Sequence, residues 1–496
     1  MEKGLVGYMY LQPDRLTLRI IDTDKDQLIT EADSGSLQVG KQRIGNYPEN
    51  IDTIESNLLG FKRIMKDYDV HNYRLYGSLI DMNAMTGKYI ASQIKVRTGL
   101  DIKWINKNQR LAGILSAINN GVQKSLKKPL TGYVLCLGLS ISDLAYFKDG
   151  NYVTSWEIDL GKARLSQLAD NLRQTTVTPS EIITDYISSK LEYLVPELGH
   201  GKASTLYVQG LARVNDDQHT RNQVVAYDQN DFMNRYHHLL DSSLQEQEAE
   251  YDVDEQSVQW VLPGYLILRQ TMRLLNTNQL YLTDINEINC LEQIVNENDQ
   301  IISMIKTEAD NLAVRYGADS DHKQFVTKVA LQLYDALKPI HRLDDHYRLL
   351  LEVACKVDDI GNFINPQGHY RHSAYILEAR PLIGLSDREN EVVAEVSRYH
   401  SAETPEVDQP HYMQLDSAIQ LQVVQLAAIL RVADSLDDSR LQKIIHVRLK
   451  LVGNNLQIRV ITTDDLVLEG WAFQKKNRLF TEVYGLHPQL IVEGEK

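Results

Sequence analysis

Along the first part of the chain, short runs in which apolar and polar residues alternate are separated by longer stretches in which apolar residues return every three or four positions. "RLTLRIID" (Arg15 to Asp22) and "YRLYGSLID" (Tyr73 to Asp81) carry the strand pattern, and "IDTIESNLLGFKRIMKDY" (Ile51 to Tyr68) carries the helical one. An α/β organisation follows from Leu5 to about Ser125. A second start appears at "TGYVLCLGLSISDLAYFKDGNYVTSWEIDLG" (Thr131 to Gly161), with an apolar strand, a glycine-containing turn, a second strand, the turn "KDGN" and a third strand. Three strands with helices after them, near residue 5 and again near residue 132, predict two structurally similar halves.

Beyond about residue 300 the strand signals stop. "DHKQFVTKVALQLYDALKPI", "DDHYRLLLEVACKV" and "IQLQVVQLAAILRVADSLDDSR" place apolar residues at helical spacing and predict an all-helical domain. The last fifty residues return to strands in "IIHVRLKLVGNNLQIRVITTDDLVLEGWAF", with hairpin turns expected at Asn454-Asn455 and at Thr463 to Asp465. The expected domains are residues 1–128, 129–300, 301–443 and 444–496, the last a small α/β cap.

A length of 496 residues, 43% hydrophobic and 24% charged, suits a folded chain of several domains with sizeable cores. No segment approaches 18 uninterrupted apolar residues, and the first twenty residues have no secretory pattern. A cytoplasmic location without a membrane partner is expected. Cys136, Cys290 and Cys355 lie far apart in apolar surroundings, which argues against disulfides and against a zinc cluster. A net charge of −15 argues against a DNA partner, since binding a polyanion needs a positive surface. The local clusters Lys124, Lys127 and Lys128, and Lys475, Lys476 and Arg478, read as solvated surface.

Several phrases, in order, add a resemblance. "VLPGYLIL" (Val261 to Leu268), "GHYRHSAYIL" (Gly368 to Leu377), "SRYHS" (Ser397 to Ser401) and "LAAILRVADSLDDSR" (Leu426 to Arg440) resemble the exopolyphosphatase / guanosine pentaphosphate phosphatase (Ppx/GppA) family over nearly the whole chain. The resemblance implies two actin-like, ribonuclease-H-like α/β domains, a helical HD-type domain and a small C-terminal α/β domain. It also implies phosphoanhydride hydrolysis through glycine-rich phosphate loops and carboxylates that hold Mg²⁺ or Mn²⁺.

Against that pattern the chain departs four times. The first phosphate loop, roughly D-x-G-S-N-S in the family, corresponds to Tyr10 to Arg15, without glycine and with Pro13 removing a donor. The second, roughly D-I-G-G-G-S-T-E, corresponds to Cys136 to Asp143: Gly138 remains, Cys136 replaces the leading Asp, and Asp143 replaces the Glu. Gln109 and Arg110 stand where the catalytic Glu pair is expected, and neither serves as a general base. Asp81 stands where a phosphate-contacting Arg is expected. The resemblance therefore leaves Asp143 as the catalytic candidate and Gly138, Ser140, Ser142 and Gly210 as phosphate-binding candidates.

In the helical domain, HD-type sites use a first His, a His-Asp pair and a later Asp. Here Lys328 takes the first place, Asp358 the second, and Asp359 and Asp434 remain. Asp358, Asp359 and Asp434 suit Mg²⁺ or Mn²⁺, yet the Lys328 ammonium favours a salt-bridged cluster. His369, His372 and His400 line a path for a linear polyanion with Arg371, Arg342 and Arg398, or else His372 and His400 hydrogen-bond buried backbone or carboxylates. The expected function is exopolyphosphatase-like, binding polyphosphate or guanosine polyphosphate with hydrolysis weak or lost. The alternative is a non-catalytic regulatory or structural partner, as a homodimer or associated with an active family member.

Overall fold

The computed structural model describes residues 4–494 apart from 13–14, 26, 37–46, 79–83, 174–178, 199–203, 215–223, 252, 254, 256, 296–297 and 407–408. The chain divides into two compact units, Met1–Ile301 and Ile302–Lys496.

The first unit contains two sheets of one design. In the first, β1 (Leu5–Leu11), β2 (Arg15–Asp22) and β3 (Gln27–Ser36) form an antiparallel meander, and β4 (Asn72–Ser78) and β5 (Ile102–Ile105) continue it in parallel, in the order β3-β2-β1-β4-β5. β1 is buried on both faces, which explains its unbroken apolar text. Met9 and Leu11 pack with Leu58 and Phe61, while Val6, Tyr8 and Tyr10 pack with Ile288 and Leu291.

The second sheet contains β6 (Gly132–Leu137), β7 (Ser142–Lys148), β8 (Asn151–Ile158), β9 (Ser204–Gln209), β10 (Val224–Tyr227) and β11 (Thr277–Thr283), in the order β10-β11-β9-β6-β7-β8. β6, β7 and β8 are an antiparallel meander, β9 and β11 extend it in parallel, and β10 adds an antiparallel edge. The shared pattern is the ribonuclease-H-like plan of actin-like domains. The helix Lys107–Leu126 packs closely on Glu287–Val295, because Gly113 offers no Cβ, which would lie 2.8 Å from the Cys290 carbonyl oxygen. That approach brings Arg110 beside Glu287.

The second unit is mainly helical. Ser320–His341, Asp345–Val357 and Asp387–Arg398 begin at the side-chain caps Asp319, Asp344 and Ser386, the last a full capping box with Glu389. His369–Ala379 and the largely buried Ser417–Ser435 complete the helical core. A small sheet follows: β12 (His446–Val452) pairs antiparallel with β13 (Asn455–Thr462), and β14 (His487–Gly494) pairs parallel with β13. The expected hairpin at Thr463 to Asp465 is absent. Val467–Lys476 is a helix, and its buried residues Glu469, Ala472 and Phe473 recur at helical spacing that the apolar text obscured. Among the described residues no helix is long and apolar enough to cross a membrane.

Candidate functional site

In the first unit, the residues standing where catalytic groups were expected are held in structural roles. Gln109 is the N3 member of a capping box with Asn106, which starts the helix Lys107–Leu126. The next residue, Arg110, donates from Nε to Glu287 Oε1 at 2.6 Å and pairs with the same carboxylate through Nη2. Tyr10, at the end of β1, donates its hydroxyl to Glu287 Oε2 at 3.2 Å. Burial opposes the Arg110 charge, but Glu287 outweighs it and holds the guanidinium protonated. A fixed cation and its counter-ion thus stand where a general base was expected. Replacing Arg110 with alanine should destabilise the first unit by about 2 kcal/mol in urea denaturation, the value for a partly exposed pair whose surviving carboxylate loses its partner; a change within about 0.5 kcal/mol would show that the pair contributes nothing.

Asp143 lies on β7 directly opposite Cys136 on β6. Burial raises the Cys136 thiol, and Asp143 adds to the shift, so this cysteine is an inert core residue. The Asp143 carboxyl is pushed up to about 7, chiefly by burial, with Arg110 pulling it down and Glu157 pushing it up. Its hydrogen therefore titrates in the neutral range.

The loop between β6 and β7 folds tightly on itself. A Cβ on Gly138 would fall on the Ile141 carbonyl oxygen, and one on Gly161 would fall on Leu139 and Ser140. The Gly138 and Leu139 carbonyls accept from the backbone N–H groups of Lys162 and Ala163, at 3.1 and 2.9 Å. These are the first donors of the helix Lys162–Arg173, which would otherwise be free to bind an anion. Gly210, with φ of 84°, backs the loop, and its carbonyl accepts from Lys162 Nζ at 2.7 Å. Burial and the Arg110 charge lower the Lys162 ammonium to about 8. Gly138 and Gly210 thus gather round one loop with Lys162, whereas Ser140 is exposed at its tip and Ser142 Oγ is buried without a hydrogen-bond partner among the described residues. Asp81, and Pro13 and Asp14 of the first loop, lie outside the described residues. A Mg²⁺ or Mn²⁺ ion needs several converging oxygen ligands. Asp143, largely protonated below neutrality, and Glu287, held by Arg110, do not provide them.

The second unit holds a denser cluster. Asp358 and Asp359 follow the helix Asp345–Val357, and Asp434 lies near the end of Ser417–Ser435. The ammonium among them is Lys323, which bonds Asp358 Oδ1 and, at 2.8 Å, Asp359 Oδ2. Lys328 is exposed, as expected for a residue five positions, and so about 140°, further round the helix Ser320–His341. Next to Lys323, His322 bridges Asp437 Oδ2 at 2.8 Å and Asp434 Oδ1 at 3.2 Å. These carboxylates raise it to about 9 against the effect of burial. Lys476 pairs with Asp434, and Arg440 donates to Asp359 Oδ2 at 2.7 Å. Burial would raise Asp359 and Asp434, but Lys323 for the first and Lys476 for the second hold both well below the usual carboxylate range. With all three acids already holding cations, a magnesium site of Asp358, Asp359 and Asp434 does not fit.

The histidines separate. His369 and His400 approach through Nε2 to 3.2 Å, beside Asp359. His372 lies one turn beyond His369, its Cβ against Gly361. Arg371 is exposed and pairs with Glu403, Arg398 is buried between Glu395 and Glu378, and Arg342 is exposed just past the end of its helix. Sequence reading missed Lys162, Glu287, His322, Lys323 and Arg440, and it took Lys476 for solvated surface although that side chain is largely buried against Asp434. Of the missed residues, only the His322-Lys323 pair had a visible signal, two basic residues three and four positions after the Asp319 cap.

Residues 306–478 match the Ppx/GppA phosphatase domain III model. Among solved structures, the Aquifex aeolicus member of the Ppx/GppA family is similar at 16% identity, covering 60% of this chain and 99% of that one, with a TM-score of 0.47. An exopolyphosphatase from Cytophaga hutchinsonii is similar at 14% identity, with coverages of 60% and 99% and a TM-score of 0.49. By its own topology the chain has two sheets of one plan in its first unit and a mainly helical second unit. The family match covers the helical domain and runs into the small sheet after it, through the helix Val467–Lys476.

Proposed function

We propose that this chain is an exopolyphosphatase-like protein that binds polyphosphate or guanosine polyphosphate on the Ppx/GppA scaffold and hydrolyses it weakly or not at all. The observation that carries the reading is the Arg110–Glu287 pair, which puts a protonated guanidinium where the family pattern calls for a general base. Arg110 and Lys162 supply positive charge beside the β6–β7 loop, and the depressed Lys162 ammonium gains by meeting an anion. Among the described residues, Asp143 is the acid there whose titration falls near neutrality, so residual turnover is assigned to it.

The test is phosphate release from long-chain polyphosphate and from guanosine pentaphosphate, with Mg²⁺ or Mn²⁺, with binding recorded in the same samples. We expect salt-sensitive binding and phosphate release at most a small fraction of an active family member's, abolished in Asp143→Ala. Turnover at full family rates would overturn the reading. Absence of both binding and turnover would favour the other role, a regulatory or structural partner of an active family member.

A further inference from the structure

Three elements of the second unit bring lone pairs to one point. His400, two residues past the helix Asp387–Arg398, directs Nδ1 to the Ser397 carbonyl at 2.6 Å, and His369, opening the helix His369–Ala379, directs Nδ1 to the Pro366 carbonyl at 3.0 Å. A carbonyl oxygen can only accept, so in both rings Nδ1 carries the hydrogen. The neutral imidazole then presents Nε2 as an acceptor. These two Nε2 atoms are 3.2 Å apart and lie 3.4 and 3.5 Å from Asp359 Oδ1. Three acceptors facing one another repel unless a positive centre lies between them.

A proton on one ring relieves one edge of this triangle, and a charged hydrogen bond would draw that edge in to about 2.7–2.9 Å. All three edges are longer than that and nearly equal. Bonds of about 2.0–2.1 Å to a tetrahedral ion would place its ligands about 3.3 Å apart. We propose that Asp359, His369 and His400 form a site for a divalent transition ion of the Zn²⁺ and Co²⁺ class, with the fourth position left to water or an anion.

The surroundings hold each ligand as metal sites require. Asp359 keeps Oδ1 turned to the histidines because Oδ2 is engaged by Lys323 and Arg440. Arg431 clamps the His400 segment, its Nη1 donating to the carbonyls of Tyr399, Ser401 and Glu403. Gly361 lets the His369 backbone pass directly over it, and Ser373 Oγ ties that crossing together by donating to the Asp358 carbonyl at 2.5 Å and accepting from the Gly361 N–H at 2.8 Å. Asp359 and His400 are buried, while the His369 side chain is 19% exposed and gives the ion a way in. Two imidazoles and one carboxylate favour zinc-like ions over Mg²⁺. A second group with ligand spacing, Glu378, Glu395 and His411, offers a single imidazole, with Glu378 and His411 exposed, and serves as a control.

The experiment is titration of the chelator-treated full chain with Co²⁺, followed by Zn²⁺. We expect one equivalent of Co²⁺ with the visible absorption of a four-coordinate ion, displaced by Zn²⁺. His369→Ala and His400→Gln should each lower the affinity at least about 100-fold, and His411→Ala should leave it unchanged. If His400→Gln fails to fold, His369→Ala decides the matter, its metal-free circular dichroism and melting compared with the parent protein. Absence of stoichiometric binding, or binding that survives both histidine substitutions, would overturn the site and show a triangle bridged by a proton.

Discussion

Replacing Lys323 with methionine should destabilise the second unit by about 3–5 kcal/mol, the cost of leaving a buried charge without its partner. Asp358 is 0% exposed and Asp359 3%, and the Lys323 ammonium lies between them. Asp359 would keep Arg440. Asp358 would keep nothing, since its Oδ2 already lacks a hydrogen-bond partner among the described residues. The loss should therefore be felt chiefly through Asp358, and a Lys323→Met/Asp358→Asn double variant should recover much of it, with a coupling energy of a few kcal/mol. Lys328→Met, on the exposed side of the same helix, should stay within about 0.5 kcal/mol. Native-state hydrogen exchange of the helices Ser320–His341 and Asp345–Val357 would measure all three. A Lys323→Met cost below about 1 kcal/mol would mean that the cluster relaxes or takes in water and is no structural keystone.

The contrast between Lys323 and Lys328 shows where sequence reading succeeds and where it stops. The helix was legible because Val326, Val329, Ala330, Leu333 and Leu337 repeat at helical spacing and are buried. Which lysine turned inward was not, because that is fixed by carboxylates 35 and 36 residues further along the chain. The two actin-like halves were legible for a similar reason: each opens with a meander whose turns and alternation are written locally. Arg110 shows the limit again. Its place in the family pattern could be read, but its partner Glu287 comes from 177 residues away and is brought up by a helix contact that depends on Gly113. Val467–Lys476 was misread because Val467 and Trp471 are exposed apolar residues on a helix, and they made a helical period look like a strand. Local periodicity specifies elements; the ion pairs that define both sites are long-range facts.

Asp143→Asn should stabilise the first unit at alkaline pH while removing whatever hydrolysis remains. The carboxyl titrates near 7 in the folded chain, against 3.8 for the ordinary group, because burial penalises the charged form. A raised carboxyl pKa means that the folded state holds the proton more tightly than the unfolded one. Its contribution to stability is therefore full below about pH 3.8 and is lost as pH rises through 7. A shift of this size corresponds to at most about 4 kcal/mol, and the partial exposure of the residue reduces that to about 2 kcal/mol. An amide carries no such charge, so the variant should melt above the parent at pH 8 and close to it at pH 4. Residual phosphate release, if Asp143 acts as its base, should rise with an apparent pKa near 7 and vanish in the variant. If the variant gains stability at pH 8 while phosphate release and polyphosphate binding are both unchanged, Asp143 has no part in the function. Equal melting at both pH values would instead mean that the carboxyl is solvated and titrates as an ordinary aspartate.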